Sequence, residues 1–318
     1  MQGLILAGGE GTRMGRLTAH LPKPLLYLPG GTLLEHQLAL LSRSGISHTF
    51  VVTRHREGEI IPALRGLGDV TGVPQRAPFT LLGALATAEK QVTEPVLVLH
   101  GDNYFSQSLE YVVDAGRSTV EGGKAKAVFV VEDGDGQRSE AERLASTGCY
   151  VLSPGVFDLV RKLNGGDELR SLTGALLESG VPVEGVPLRG WRANVNTLND
   201  LLTVSQRMLE RWSDSFHPAP ADEGYNRRQR CSEIELPLWV SPDAVTVGSR
   251  LGPFVAIGPG AVVEDCVLRE TTVFPGAQIL GLKAQGVIVL RGPDGPLVLA
   301  SQDESRRCEK GHGEKEPS

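Results

Sequence analysis

The chain has 318 residues, 40% hydrophobic and 22% charged, enough for about two domains, each with a core of its own. Its formal net charge of −6 argues against a general nucleic-acid binder, which shows a basic face, but not against a phosphate held by backbone amides and a few placed cations. Cys149, Cys231, Cys266 and Cys308 make no CxxC spacing, so reduced thiols in a cytoplasmic protein are expected, and the apolar stretch from Leu4 to Ala7 is too short for a signal peptide or a membrane span.

In chain order, Gly3 to Ala7 reads as a buried strand, and Thr32 to Arg43 as a helix with Leu33, Leu34, Leu38 and Leu41 on one face. Thr49–Thr53 is a strand, Leu81 to Gln91 a helix, and Val96–His100 another buried strand. Lys126–Val131 and Cys149–Leu152 follow as strands, then a helix from Leu198 to Arg211. Strands alternating with helices imply an α/β domain over residues 1–212, with a mostly parallel sheet flanked by helices. Residues 213–236 are polar, carry Pro218 and Pro220, and read as a linker. The basic run Arg227-Arg228-Gln229-Arg230 within it is either a partner site or a solvated loop face.

The rhythm then changes. Val245, Leu251, Ile257 and Val263 recur every six residues, and Val267, Val273 and Ile279 resume the spacing after a slip. One aliphatic per six residues, with glycine and proline between, predicts a short hexapeptide-repeat parallel β-helix over residues 237–300. Two closing strands around Pro293-Asp294-Gly295 predict a capping hairpin. The charged tail, 301–318, is expected to be disordered.

The chemistry concentrates in three places. A strand runs into Leu6-Ala7-Gly8-Gly9-Glu10-Gly11-Thr12-Arg13-Met14, followed by Pro22-Lys23-Pro24. Glycines let a backbone approach phosphate, Arg13 adds a planar cation, and Lys23 a compact one. The string is neither GxxxxGKS/T nor GxGxxG, since Met14 stands at the third glycine position, so a nicotinamide enzyme is disfavoured. His100-Gly101-Asp102-Asn103 follows an apolar strand, where a carboxylate suits either a magnesium ion or an Asp-Asn turn. Trp191-Arg192-Ala193-Asn194-Val195-Asn196-Thr197 precedes a helix that Asn196 or Thr197 could cap.

These motifs together resemble the sugar-1-phosphate nucleotidylyltransferases, over most of residues 1–211. The resemblance implies a Rossmann-like nucleotidyltransferase fold, and a left-handed β-helix behind such a domain is common in that family. It implies transfer of a nucleotidyl group from a nucleoside triphosphate to a sugar 1-phosphate, giving an NDP-sugar and pyrophosphate. Leu6, Ala7, Gly8, Gly9, Gly11, Thr12, Gln75 and Gly101 would bind the nucleotide. Arg13 and Lys23 would be the catalytic cations, Gly148 and Tyr150 would line the acceptor, and Asp102 and Asn194 would hold Mg2+. Asn194 stands where the family usually has aspartate. Gln75 would meet the base, or be a plain surface glutamine; it and Gly101-Asp102-Asn103 resemble the thymidylyl branch, favouring dTTP or UTP. The β-helix is more at home in guanylyl and adenylyl branches. The family's glutamate-lysine-proline acceptor element is missing from the segment Glu132 to Arg143, which would suit an unusual sugar or a cyclitol phosphate. An inactive nucleotide-binding regulatory homologue is the remaining alternative. A homo-oligomer is expected, with neither nucleic acid nor membrane as partner.

Overall fold

Runs of β-branched and aliphatic residues such as Val96-Leu97-Val98-Leu99 suit strands covered on both faces, and in the computed structural model of the protein they form the middle of a sheet. Residues 1–132, 138–163, 168–213, 229–230 and 233–300 are described. Most of the linker 213–236, the tail 301–318, Cys231 and Cys308 lie outside them.

The chain divides into two compact units, the first comprising Met1–Gly11, Pro22–Leu25 and Leu33–Asn194, the second Thr12–Leu21, Leu26–Thr32 and Val195–Ser318. The first unit is built on a seven-stranded sheet. Its spatial order is Val183–Pro187, Ala127–Val131, Cys149–Leu152, Val96–His100, Gln2–Leu6, Thr49–Thr53, Val70–Pro74. All neighbours are parallel except Cys149–Leu152, which runs antiparallel to both its partners. The sheet is therefore mostly parallel, as expected. One face packs through Leu4, Val98, Phe129 and Tyr150, the other through Ile5, Leu97, Leu99 and Val128. This alternation follows the two-residue period of a strand.

A separate pair of strands matters for the site. Asn103–Phe105 pairs antiparallel with Arg192–Asn194, in the register Asn103 opposite Asn194. This joins two of the three motifs in one ladder.

In the second unit, residues 229–230 and 233–300 form the parallel β-helix: three ladders of short parallel strands, one strand per ladder in each coil. The stacked interior includes Thr246, Val263 and Ile279 on one side and Leu251, Leu268 and Ala284 on the next. Val240, Ile257, Val273 and Val289 make the third. Two expected core positions are corrected. Val245 and Val267 are only half-buried, whereas Thr246 and Leu268 are fully buried. In the strands Val245–Val247 and Val267–Arg269 the middle side chain points inward, so the core residue there lies one position later than the aliphatic spacing indicated. Val287–Gly292 and Gly295–Ala300 form the predicted antiparallel hairpin.

Helix Leu198–Ser213 belongs to this unit, with Trp212 edge-to-face on Trp239 at 5.4 Å between centroids. Trp239 Nε1 donates to Tyr27 Oη at 3.1 Å, and the Tyr27 ring meets Phe274 edge-on.

Candidate active site

The interior strand Gln2–Leu6 delivers the glycine loop, and Ala7 N carries the ladder one residue further by donating to Val52 O at 2.8 Å. The next strand delivers the Gly101 turn beside it: Gly101 N donates to Leu6 O at 2.9 Å. A Cβ on Gly101 would stand 2.7 Å from that carbonyl oxygen, so only glycine lets the turn lie against the loop. Gly9 is exposed and Gly11 turns the loop with φ 69°. Thr12 and Arg13 follow in a short 3-10 helix, Thr12–Met14, in the second unit, and both are exposed.

Asp102 and Lys23 meet. Lys23 is buried, and its Nζ donates to Asp102 Oδ2 at 3.3 Å, while Asn103 Nδ2 donates to Asp102 Oδ1 at 3.2 Å. Beneath them, Gln37 Nε2 donates to His100 O at 2.9 Å and Asn103 O at 2.8 Å, tying the turn to helix Leu33–Arg43. His100 is pushed below its ordinary pKa, first by burial, with Asp102 opposing and Arg192 assisting, which favours the neutral ring. Its Nε2 lies 3.4 Å from Tyr150 Oη.

Arg192 organises the opposite side. Its Nη1 donates to Asn103 Oδ1 at 2.9 Å and Asn194 Oδ1 at 2.6 Å. Its Nη2 donates to Ser146 O at 2.6 Å and Glu132 Oε2 at 3.1 Å. Its Nε makes an ion-pair contact with Glu132 Oε1 at 3.0 Å, without hydrogen-bond alignment. Asn194 is exposed and Glu132 half-buried. The Ser146 turn leads into Gly148, with φ 66°, where a Cβ would strike the His100 ring at 2.8 Å. Tyr150 is fully buried, stacked on Phe129, its phenol held well above the usual range by burial.

Gln75 lies at 6% exposure beyond the last strand of the sheet. Its Nε2 donates to Pro78 O and Thr80 O, each at 3.0 Å. Its Oε1 faces Gly8, where a Cβ would sit 3.0 Å away. Arg54 pairs with Glu10 in the glycine loop and lies 5.1 Å from the centroid of the exposed Phe79 ring.

Helix Leu198–Ser213 is capped by Thr197, whose Oγ1 accepts from Asp200 N at 3.1 Å while Asp200 Oδ2 accepts from Asn196 N and Thr197 N. Asn194 takes no part in that cap. The oxygens proposed for a metal are the Asp102 carboxylate and the Asn194 amide, with no cluster of three His, Cys, Asp or Glu among the described residues. Such a set fits magnesium, which takes one or two protein carboxylates plus substrate phosphates and keeps several waters. At Asn194 that oxygen is shared with a guanidinium.

The sequence reading gave no role to Arg192, Glu132, Gln37 or Arg54. Arg192 was visible as a cation inside the Trp191–Thr197 motif, but nothing in the sequence names partners as distant as Asn103 and Glu132.

The chain is similar to several known proteins. The chain is 29% identical over 241 residues to the UTP–glucose-1-phosphate uridylyltransferase AglF of Haloferax volcanii, covering 66% of this chain and 97% of that one. It is 25% identical to a glucose-1-phosphate thymidylyltransferase of Streptomyces griseus, over 89% of this chain and 90% of that one. It is 27% identical to the mannose-1-phosphate guanylyltransferase of Mycobacterium tuberculosis, over 84% and 79%. The fold is shared with a solved Bacillus anthracis chain described as a glucose-1-phosphate thymidylyltransferase, with TM-score 0.57 at 21% identity, covering 64% of this chain and 94% of that one. The resemblance to sugar-1-phosphate nucleotidylyltransferases therefore holds, and because residues 3–180 match the MobA-like NTP transferase domain, the chain belongs to that family.

Proposed function

We propose that this protein joins a nucleoside triphosphate to a sugar 1-phosphate, releasing pyrophosphate. The observation that carries the reading is the contact of Gly101 with Leu6, which sets Asp102 and its partner Lys23 beside the glycine loop. An oxygen of the acceptor phosphate attacks the α-phosphorus, a new P–O bond forms, and the bond to the β-phosphate bridging oxygen breaks. The acceptor is already an anion at neutral pH, so no protein nucleophile is required.

The residues act by positioning and electrostatics. Amides of Ala7 to Thr12 cradle the triphosphate, Arg13 stabilises the charge developing on the departing pyrophosphate, and Lys23 contacts the reacting phosphates. Gly101 leaves room beside the loop. Asp102, with Asn194 as the weaker partner, would hold Mg2+, which supplies charge neutralisation at the phosphates. Gly148 gives the acceptor-side turn its close approach, and Tyr150 supports it from below through His100.

The donor end of Gln75 is spent on the Pro78 and Thr80 carbonyls, leaving its oxygen to accept from a base N–H. The imide N–H of uracil or thymine meets that need, as guanine N1–H would too; the uridylyl and thymidylyl relatives support UTP or dTTP, and the guanylyl relative supports GTP. A second reading is guanylyl or adenylyl transfer to an unusual sugar or cyclitol phosphate; its base rests on the appended β-helix, and its acceptor on the missing glutamate-lysine-proline element, on the side where the Arg192–Glu132 pair stands. Pyrophosphate release measured with four nucleoside triphosphates against a panel of sugar and cyclitol 1-phosphates tests both. Release with none of them sinks the transferase reading and leaves a nucleotide-binding homologue.

A further inference from the structure

Arg192 is a cation enclosed by acceptors from four segments. Asn103 and Asn194 take one end of the guanidinium, Glu132 and the Ser146 carbonyl the other. Its side chain is 12% exposed, and the four terminal N–H groups all have partners. The fifth donor, Nε–H, is buried against Glu132 Oε1 without hydrogen-bond alignment, so no donor is open to a substrate and the effect of Arg192 passes through the groups it holds. Glu132 supplies one negative charge, so Arg192 and Glu132 together are neutral, and both asparagines meet the guanidinium as neutral acceptors.

We infer that Arg192 is a positioning residue that dictates asparagine at position 194, an assignment resting on the proposed role of Asn194 as second magnesium ligand. An amide oxygen has two lone pairs. One accepts from Arg192 Nη1 and the other remains for an ion whose shell is mostly phosphate and water. A carboxylate at 194 meets the same guanidinium differently. It closes a charge-assisted pair, spends its charge on Arg192, and competes with Glu132 for the fork. Aspartate here is thus withdrawn from the metal by its neighbour. The same clamp reaches Ser146, so the turn before Gly148 and Tyr150 depends on it too.

The test is a titration of the full-length protein with Mn2+, followed by electron paramagnetic resonance in the presence of a non-hydrolysable nucleoside triphosphate. It needs no turnover. Asn194→Asp alone is expected to leave Mn2+ affinity within about twofold of wild type, while Arg192→Gln with Asn194→Asp binds at least about tenfold tighter than Arg192→Gln alone. Tenfold tighter binding by Asn194→Asp alone overturns the inference, as does a double variant no tighter than Arg192→Gln. Where Arg192→Gln does not fold, Glu132→Gln serves instead. It leaves the guanidinium uncompensated beside position 194, so Mn2+ affinity falls several-fold, and unchanged affinity overturns the inference. In the active enzyme, Arg192→Lys raises KM for the acceptor and leaves KM for the triphosphate near wild type, because an ammonium cannot span both ends of the fork. The reverse split overturns the link to the acceptor turn. Absence of pyrophosphate release by the wild type sinks the transferase reading on its own and leaves the Mn2+ comparison standing.

Discussion

Lys23 Nζ lies 3.3 Å from Asp102 Oδ2, a buried cation against a carboxylate whose side chain is 30% exposed. Replacing Asp102 by alanine removes the proposed principal metal ligand and the partner of Lys23 at once. Activity is expected to vanish at any practical magnesium concentration. The loss of stability should fall below the ~3–5 kcal/mol typical of breaking a fully buried pair, since water reaches the carboxylate. Asn194→Ala should mainly raise the magnesium requirement. Magnesium titrations of both variants decide the order. A near-normal Asp102→Ala beside a dead Asn194→Ala would reduce Asp102 to a turn residue.

Arg13→Ala should slow turnover far more than it weakens nucleotide binding, because the charge Arg13 answers develops as pyrophosphate leaves. A fall in kcat of less than about tenfold, roughly 1.4 kcal/mol, with the triphosphate dissociation constant measured alongside, means that Arg13 does not meet the leaving group.

His100 gives the protein a pH signature. Its folded pKa is depressed below 6.5, chiefly by burial. The unfolded chain therefore binds the proton more readily, and stability rises with pH between the folded value and 6.5, then levels off. Lowering the pH from about 7.5 to about 5.5 should cost the wild type more of its urea midpoint than it costs His100→Gln. Equal losses would mean that His100 charges as easily in the folded protein as in the unfolded one.

Ending the chain after Ser213 removes Trp239 from Tyr27 Oη and from the Trp212 ring, and Phe274 from the Tyr27 edge. Tyr27, Leu26 and Leu28, now fully or almost fully buried, lose part of their cover. Size-exclusion chromatography should show a changed oligomeric state or aggregation, and Trp239→Ala a milder form of the same. A soluble truncation with the wild-type elution volume and melting temperature would show that the unit holds without its β-helix.

The strand Val96–His100 was legible to the residue because an unbroken aliphatic run bounded by a turn signal admits few alternatives. The β-helix was legible as a rhythm, yet its inward positions were not. Val245 and Thr246 share one short strand, and aliphatic spacing alone does not say which of the two faces in. The antiparallel course of Cys149–Leu152 was hidden as well, since local pattern carries no direction. At the site, the glycine loop, Lys23 and Asp102 could be named because each sits in a contiguous motif. The Arg192–Glu132 pair could not, because no local pattern links residues sixty positions apart that stand within 3.0 Å.

The hairpin Val287–Ala300 sets a terminus on growth of the β-helix. Up to Val287, each coil lays its strands parallel on the one before, and any coil could serve as the template for another. Gly295–Ala300 then doubles back antiparallel and occupies the strand edge that a further coil would need on that side. Lengthening the coil stack by duplication is therefore confined to insertions upstream of Val287. A duplicated coil placed after Ala300 would find that edge already taken, and end-to-end polymerisation through the same edge is blocked for the same reason.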